Sequence, residues 1–202
     1  MRREDIMILK GERIYLRPFE EGDAETLVRL VNRNRTFWGE TEPDWQEGYY
    51  TLEGQLQNIR YFHTGIQSGQ FYTFGIFTKR NHILTGIINL YDIKRGPFQS
   101  GVIGYCLDQS QNGKGLGTES VRLILSFALE SLQLNRISAE VMPRNYPSIR
   151  VLEKAGFQKE GFKRDNIMIK GAWESHLQYG VLKKDWQDLK KRVAITNGIS
   201  YH

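Results

Sequence analysis

The chain has 202 residues, of which 40% are hydrophobic and 25% charged, with 5 prolines and a single cysteine. This predicts one domain with a core large enough to need no covalent staples. It excludes an intramolecular disulfide and a cysteine-rich metal site, and no apolar stretch approaches membrane-spanning length. The net charge of +5 is uneven: residues 144–192 hold twelve Lys/Arg against six Asp/Glu, and the remainder is one charge negative. A basic half can mark nucleic-acid binding, but no helix-turn-helix, zinc or RNA-binding signature accompanies it, so direct nucleic-acid binding is not expected.

Met1 to Asp5 is not followed by the apolar segment of a secretory signal, so a cytoplasmic location is expected. Residues 8–17 read as a strand. Glu21-Gly22-Asp23 then caps an amphipathic helix with Leu27, Leu30 and Val31 on one face. Periodicity disappears from Asn32 to Tyr50, a segment rich in aromatics (Phe37, Trp38, Trp45, Tyr49, Tyr50) and therefore unlike a disordered one. Thr51 caps a second helix that ends between Gly65 and Gly69. Residues 71–77 and 83–91 form a hairpin of strands, 92–100 a turn, and 101–108 another strand. A glycine loop leads into a heavily apolar helix to Leu132. Residues 137–142 are a strand and 148–155 a helix stopped at Gly156. Two antiparallel strands, 157–169 and 173–182, meet at Lys170-Gly171. A short helix begins near Asp185-Trp186, leaving 193–202 as a tail.

The segment Asn112-Gly113-Lys114-Gly115-Leu116-Gly117-Thr118 carries the most chemistry. Glycines at a helix N-terminus gather free main-chain N–H groups beside the positive end of the helix dipole, which suits a pyrophosphate. A Walker loop would need Ser or Thr directly after Gly-Lys, and Gly115 stands there. A dinucleotide fingerprint would need G-x-G-x-x-G near the first strand. Here the spacing is G-x-G-x-G, after residue 110.

The loop resembles the acetyl-CoA pyrophosphate loop of the GNAT superfamily, Q/R-x-x-G-x-G/A. Three further segments resemble the same superfamily in order, in particular its ribosomal-protein alanine N-acetyltransferase (RimJ/RimL-like) branch: Glu12-Arg13-Ile14-Tyr15-Leu16-Arg17-Pro18; Asn145-Tyr146-Pro147-Ser148 through Glu153-Lys154-Ala155-Gly156-Phe157; and Ala172-Trp173-Glu174 through Tyr179. The resemblance implies an α+β (α/β/α layered) fold over residues 8–186, with 187–202 as helix end and tail. Its mixed, mostly antiparallel central sheet would have the fourth and fifth strands (101–108 and 137–142) splayed apart. The loop departs from the pattern in placing Asn112 at the Q/R position, which alters a side-chain contact and leaves the glycine cradle intact.

The resemblance also implies the chemistry: acetyl transfer from acetyl-CoA to an amine, with no metal. The pyrophosphate would rest on Asn112, Gly113, Lys114, Gly115, Leu116, Gly117 and Thr118. The pantetheine would pair with main chain near Leu107, and Asn145 would contact the cofactor unless it only caps its helix. The phosphates of CoA give the basic half a use. Ser148 matches the residue that assists the leaving thiolate, or is satisfied as a first-turn helix serine. Several small-amine enzymes of the superfamily carry an acidic Tyr four residues after that serine, where this chain has Leu152. Candidates for the base are Glu140, Asp108 and Asp92, each of which would otherwise be an ion-paired carboxylate. Tyr105 reads as core or substrate wall, and Cys106 as a buried structural thiol. Trp38, Trp45, Tyr49 and Tyr50 would form a lid over the acceptor. That acceptor is a protein N-terminus or a small amine (polyamine or aminoglycoside); a non-catalytic CoA-binding module is a further alternative. The chain is expected to be a monomer or homodimer.

Overall fold

The computed structural model describes residues 7–43 and 45–196. One sheet runs through the molecule in the order β1-β2-β3-β4-β5-β6-β8-β7. Its strands are β1 (Leu9–Lys10), β2 (Ile14–Pro18), β3 (Tyr72–Thr78), β4 (Leu84–Lys94), β5 (Ser100–Leu107), β6 (Arg136–Val141), β7 (Gln158–Ile169) and β8 (Ala172–Leu182). Neighbours are antiparallel except β5 and β6, which run parallel.

Side chains alternate across a strand, so each face takes its own cover. On one face Phe77, Leu84 and Ile87 pack with Leu27, Leu30 and Val31 of α1 (Ala24–Trp38) and Ile59 of α2 (Leu52–Ser68). On the other, Phe74, Ile76, Ile88 and Ile103 meet Val121, Ile124 and Leu125 of α3 (Leu116–Ser126) and Leu152 of α4 (Tyr146–Lys154). The expected α/β/α layering is therefore what the chain adopts. The splay is present too. β5 and β6 pair only at Ser100↔Arg136, Gly101↔Ile137 and Val102↔Ser138, and beyond that both strands continue unpaired with each other.

Three elements differ from the sequence reading. The strand expected over 8–17 is a small hairpin, β1 and β2, closed by Gly11 N–H on the Ile14 carbonyl at 2.9 Å. The segment read as aperiodic from Asn32 begins as helix: α1 continues to Trp38, and a 3-10 turn occupies Glu47–Tyr50. Its buried face there is polar, which hides it from an apolar pattern. Asn34 is 1% exposed, and its amide bonds the Leu30 carbonyl while its Oδ1 accepts from Gln109 N–H. The short helix expected from Asp185-Trp186 is α5 (Lys183–Thr196), which runs past the expected start of the tail at 193; its Trp186 is buried and donates to Glu130 at 2.9 Å. The end of the expected tail, 197–202, lies outside the described residues. No described helix is long and apolar enough to cross a membrane.

Candidate active site

The gap between β5 and β6 opens onto main-chain hydrogen-bonding groups. Asp108 N–H bonds the Thr85 carbonyl across from β4 at 2.8 Å. Given the register of β4 and β5, the two-residue alternation of an antiparallel ladder turns the amides and carbonyls of Ile103, Tyr105 and Leu107 away from β4, toward the gap. The Leu107 carbonyl already has a partner there: the indole N–H of Trp38 donates to it at 2.8 Å. Trp38 is thus the last residue of α1, touching the strand expected to meet the cofactor, and not part of a free loop.

The glycine loop follows β5. Gly113 and Gly115 have φ of 74° and 76°, a region that disfavours L side chains and suits glycine. Gly115 caps α3 with no side-chain hydrogen bond, so the N–H groups of Leu116, Gly117 and Thr118 have neither a preceding turn nor a capping side chain to bond. Gly117 is buried where α3 crosses β5: a Cβ there would lie 3.1 Å from Leu107 Cδ1 and 3.2 Å from Val151 Cγ2. The loop is fastened from the first hairpin. Arg13 Nη1 donates to the Lys114 carbonyl at 2.6 Å and its Nε to Glu119 at 3.0 Å, while the other Glu119 oxygen accepts from Arg13 N–H at 2.8 Å and Ile14 N–H at 3.2 Å. Lys114 Nζ turns to Gln111, and the Asn112 side chain is exposed.

Asp108, at the end of β5, anchors the turn before the loop and α1 together. It accepts from Ser110 N–H and hydroxyl, both at 3.1 Å, and from Arg33 Nε at 2.7 Å. Burial pushes its carboxyl upward, but the Ser110 and Arg33 hydrogen bonds outweigh that and hold it below the usual range. Held in this way, it is a structural anion. Asp92 is paired with Lys94 at 3.0 Å. Glu140 is gripped by Lys163 and by the Asn166 amide at 2.5 Å, so both of its oxygens are engaged.

Asn145 caps α4, accepting from Ser148 N–H at 3.2 Å. The Ser148 hydroxyl meets the Tyr105 hydroxyl at 2.8 Å, on the α3/α4 face of β5, and burial pushes the Tyr105 phenol upward. Leu152 is 1% exposed in the core. A phenol does reach Ser148, but from the sheet and not from the helix. No short-range pattern could have paired residues 43 positions apart.

On the opposite face lies a cleft of about 300 Å³ lined by Trp38, Glu42, Trp45, Tyr49, Tyr50 and Lys170. All four aromatics expected over the acceptor line it. Trp45 stacks on Tyr49 with centroids 4.7 Å apart, and Tyr50 meets Tyr49 edge-on at 5.3 Å. The tip of the β7–β8 hairpin closes one side through Lys170, which pairs with Glu40 at 2.5 Å. Glu42 lines the cleft, with the Cys106 thiol close by. Both keep some contact with solvent yet are densely surrounded by protein, and this burial pushes the carboxyl and the thiol upward. Among the described residues no group of three or more His, Cys, Asp or Glu side chains is placed to hold a metal ion.

Residues 13–158 match the family model described as an acetyltransferase (GNAT) domain. The chain is 46% identical to "Probable N-acetyltransferase YjcK" of Bacillus subtilis (strain 168) over 178 residues, covering 88% of this chain and 98% of that protein. It is 30% identical to the [ribosomal protein uS5]-alanine N-acetyltransferase of Escherichia coli (strain K12) over 181 residues, covering 88% and 92%. The fold superposes on the crystal structure of the ribosomal-protein-S5-alanine acetyltransferase from Vibrio fischeri with a TM-score of 0.84 at 30% identity, covering 89% of this chain and 98% of that one.

Proposed function

Because the chain belongs to the acetyltransferase (GNAT) domain family, we propose that it acetylates the N-terminal α-amine of a protein, such as a ribosomal protein, using acetyl-CoA. The observation that carries this reading is the placement of two different sites around one splayed strand. The glycine nest lies at the end of β5 and the Tyr105–Ser148 pair on one of its faces, while the aromatic cleft lies on the other. Acetyl-CoA supplies a thioester carbonyl open to attack by a neutral amine. The residues present fit that donor: the free N–H groups from Leu116 to Thr118 suit a pyrophosphate, and the outward Ile103 carbonyl and Tyr105 main chain suit the pantetheine amides. A gap-facing amide of β5 is also available to an oxyanion. As the amine nitrogen bonds the acetyl carbon and the C–S bond breaks, Ser148, held by Tyr105, is in position to give the departing sulfur a proton.

The aromatic cleft supports an α-amine carried on a peptide. Trp and Tyr rings offer broad apolar contact with polar edges, suited to backbone and small side chains. A polycationic small amine would require clustered free carboxylates. Of the acids in 40–47, Glu40 is paired with Lys170 and Glu47 with Arg35, and Asp44 lies outside the described residues. Among the described residues, Glu42 is the one acid that lines the cleft. A cytoplasmic location belongs to the same reading, in keeping with the free thiol of Cys106.

The test is thiol release from acetyl-CoA with peptides led by Ala, Ser or Met, beside spermidine and an aminoglycoside. Release with an Ala- or Ser-led peptide is expected. Release with spermidine or the aminoglycoside alone would move the acceptor to a small amine, and acetyl-CoA binding without release across the panel would make the chain a binding module.

A further inference from the structure

We infer that Glu42 accepts the proton of the acceptor amine. The inference rests on the acetyl-transfer reading and adds to it the base that the sequence left open. Adjacent residues of a strand project to opposite faces. Tyr105 therefore points to the α3/α4 side, where it holds Ser148, and Cys106 to the α1/α2 side, where Glu42 is close by. A donor on one face and an acceptor on the other flank the gap in which the thioester carbon must be attacked and its sulfur released. The attacking amine can then lose its proton to Glu42 while the sulfur gains one on the opposite face, so proton count and charge balance across the transfer.

Elimination among the carboxylates points the same way. Asp108 is bound to Arg33, Glu140 to Lys163 and Glu174 to Arg144, and Glu40 and Glu47 are paired as above. Glu42 carries no cationic partner among the described residues, and it lines the cleft beside the aromatics. Paired carboxylates are poor bases because their ionised form is already stabilised. A carboxyl raised by burial holds a proton more strongly and works closer to neutral pH. The titratable groups near enough to feel the charge of Glu42 are the Cys106 thiol of β5, the Tyr49 hydroxyl of the 3-10 turn and the Tyr91 hydroxyl of β4; Arg35 and Lys170 stand at the cleft wall, each with its own acid.

The test compares wild type, Glu42→Gln and Glu42→Asp on the best peptide from the panel, with acetyl-CoA affinity measured by calorimetry. Glu42→Gln, nearly isosteric, should keep acetyl-CoA affinity within about twofold and lose about 100-fold or more in kcat/KM, the low end of what a positioned base contributes. Its residual rate should climb with pH until the α-amine, with a pKa of about 8, deprotonates unaided, whereas the wild-type rate should level off earlier. Glu42→Asp should recover part of the loss. Wild-type turnover with an undiminished Glu42→Gln rate, or an unchanged pH profile, would overturn the assignment of Glu42 and leave the acetyl-transfer reading standing. Absence of wild-type turnover with any amine would instead remove that reading. Should Glu42→Gln fail to fold, the same comparison is made with Glu42→Asp, whose shorter side chain must lower kcat at unchanged acetyl-CoA affinity.

Discussion

Removing the Tyr105 hydroxyl tests whether Tyr105 and Ser148 act as one unit. Tyr105→Phe deletes a 2.8 Å hydroxyl–hydroxyl contact and leaves the ring packed against the core. A neutral hydrogen bond of this kind contributes about 0.5–1.5 kcal/mol net, which in a domain of this size lowers Tm by roughly 1–6 °C. The catalytic effect should exceed that. A positioned proton donor is worth about 10²–10⁴-fold, but a thiol with a pKa of about 8.5 already leaves tolerably at neutral pH, so the low end applies. Ser148→Ala is expected to lose about 100-fold in kcat and Tyr105→Phe about tenfold, with acetyl-CoA affinity little changed. The double variant should be no slower than Ser148→Ala, because groups acting through one another are not additive. Steady-state kinetics of the four proteins, with thiol release as readout, measures the coupling. Fully additive losses, or a Tyr105→Phe rate equal to wild type, would refute the dyad.

Gly115→Glu places a charged side chain at φ 76°, with its Cβ 3.1 Å from Arg13 Nη2. The left-handed conformation costs about 1–2 kcal/mol, which a domain can absorb, yet acetyl-CoA binding should vanish in calorimetry. Undiminished affinity in the folded variant would count against the loop. Arg33→Met strips the buried Asp108 carboxylate of its cation. Because Arg33 is 45% exposed and both Ser110 bonds remain, the cost should be about 1–2 kcal/mol, below that of breaking a fully buried pair. Asp108 is held low in the folded protein, so the stabilisation is complete above its unfolded pKa of about 3.9 and is lost as pH falls through the lower folded value. The gap between wild type and variant in denaturant midpoint should therefore narrow on acidification, and a gap independent of pH would contradict the assignment. Leu152→Ala should cost about 2–5 kcal/mol in urea unfolding as a core cavity; a loss below 1 kcal/mol would mean that α4 is not packed as described.

Legibility in the sequence followed the range of the interaction. Gly113 and Gly115 take positive φ, Thr51 caps α2 and Asn145 caps α4, all features written in neighbouring residues. The splay of β5 from β6 followed from the ordered motifs of the family and not from any local pattern. The missed pieces are long-range or polar. The last turns of α1 escaped notice because Asn34 fills a buried position where a hydrophobe would have kept the period. Arg13 bridges 101 residues to hold the loop at Lys114. Glu42 looked like one more acid in an acidic segment, and only the fold brings it close to Cys106 on the face opposite Ser148.

Fragment mass spectrometry of an Ala-led peptide containing an internal lysine, after incubation with the protein and acetyl-CoA, tests α-amine acetylation directly. A single acetyl group is expected, carried by the fragments that retain the N-terminal α-amine. An acetyl group on the lysine side chain, or an unmodified peptide beside acetylated spermidine in a parallel reaction, would contradict it.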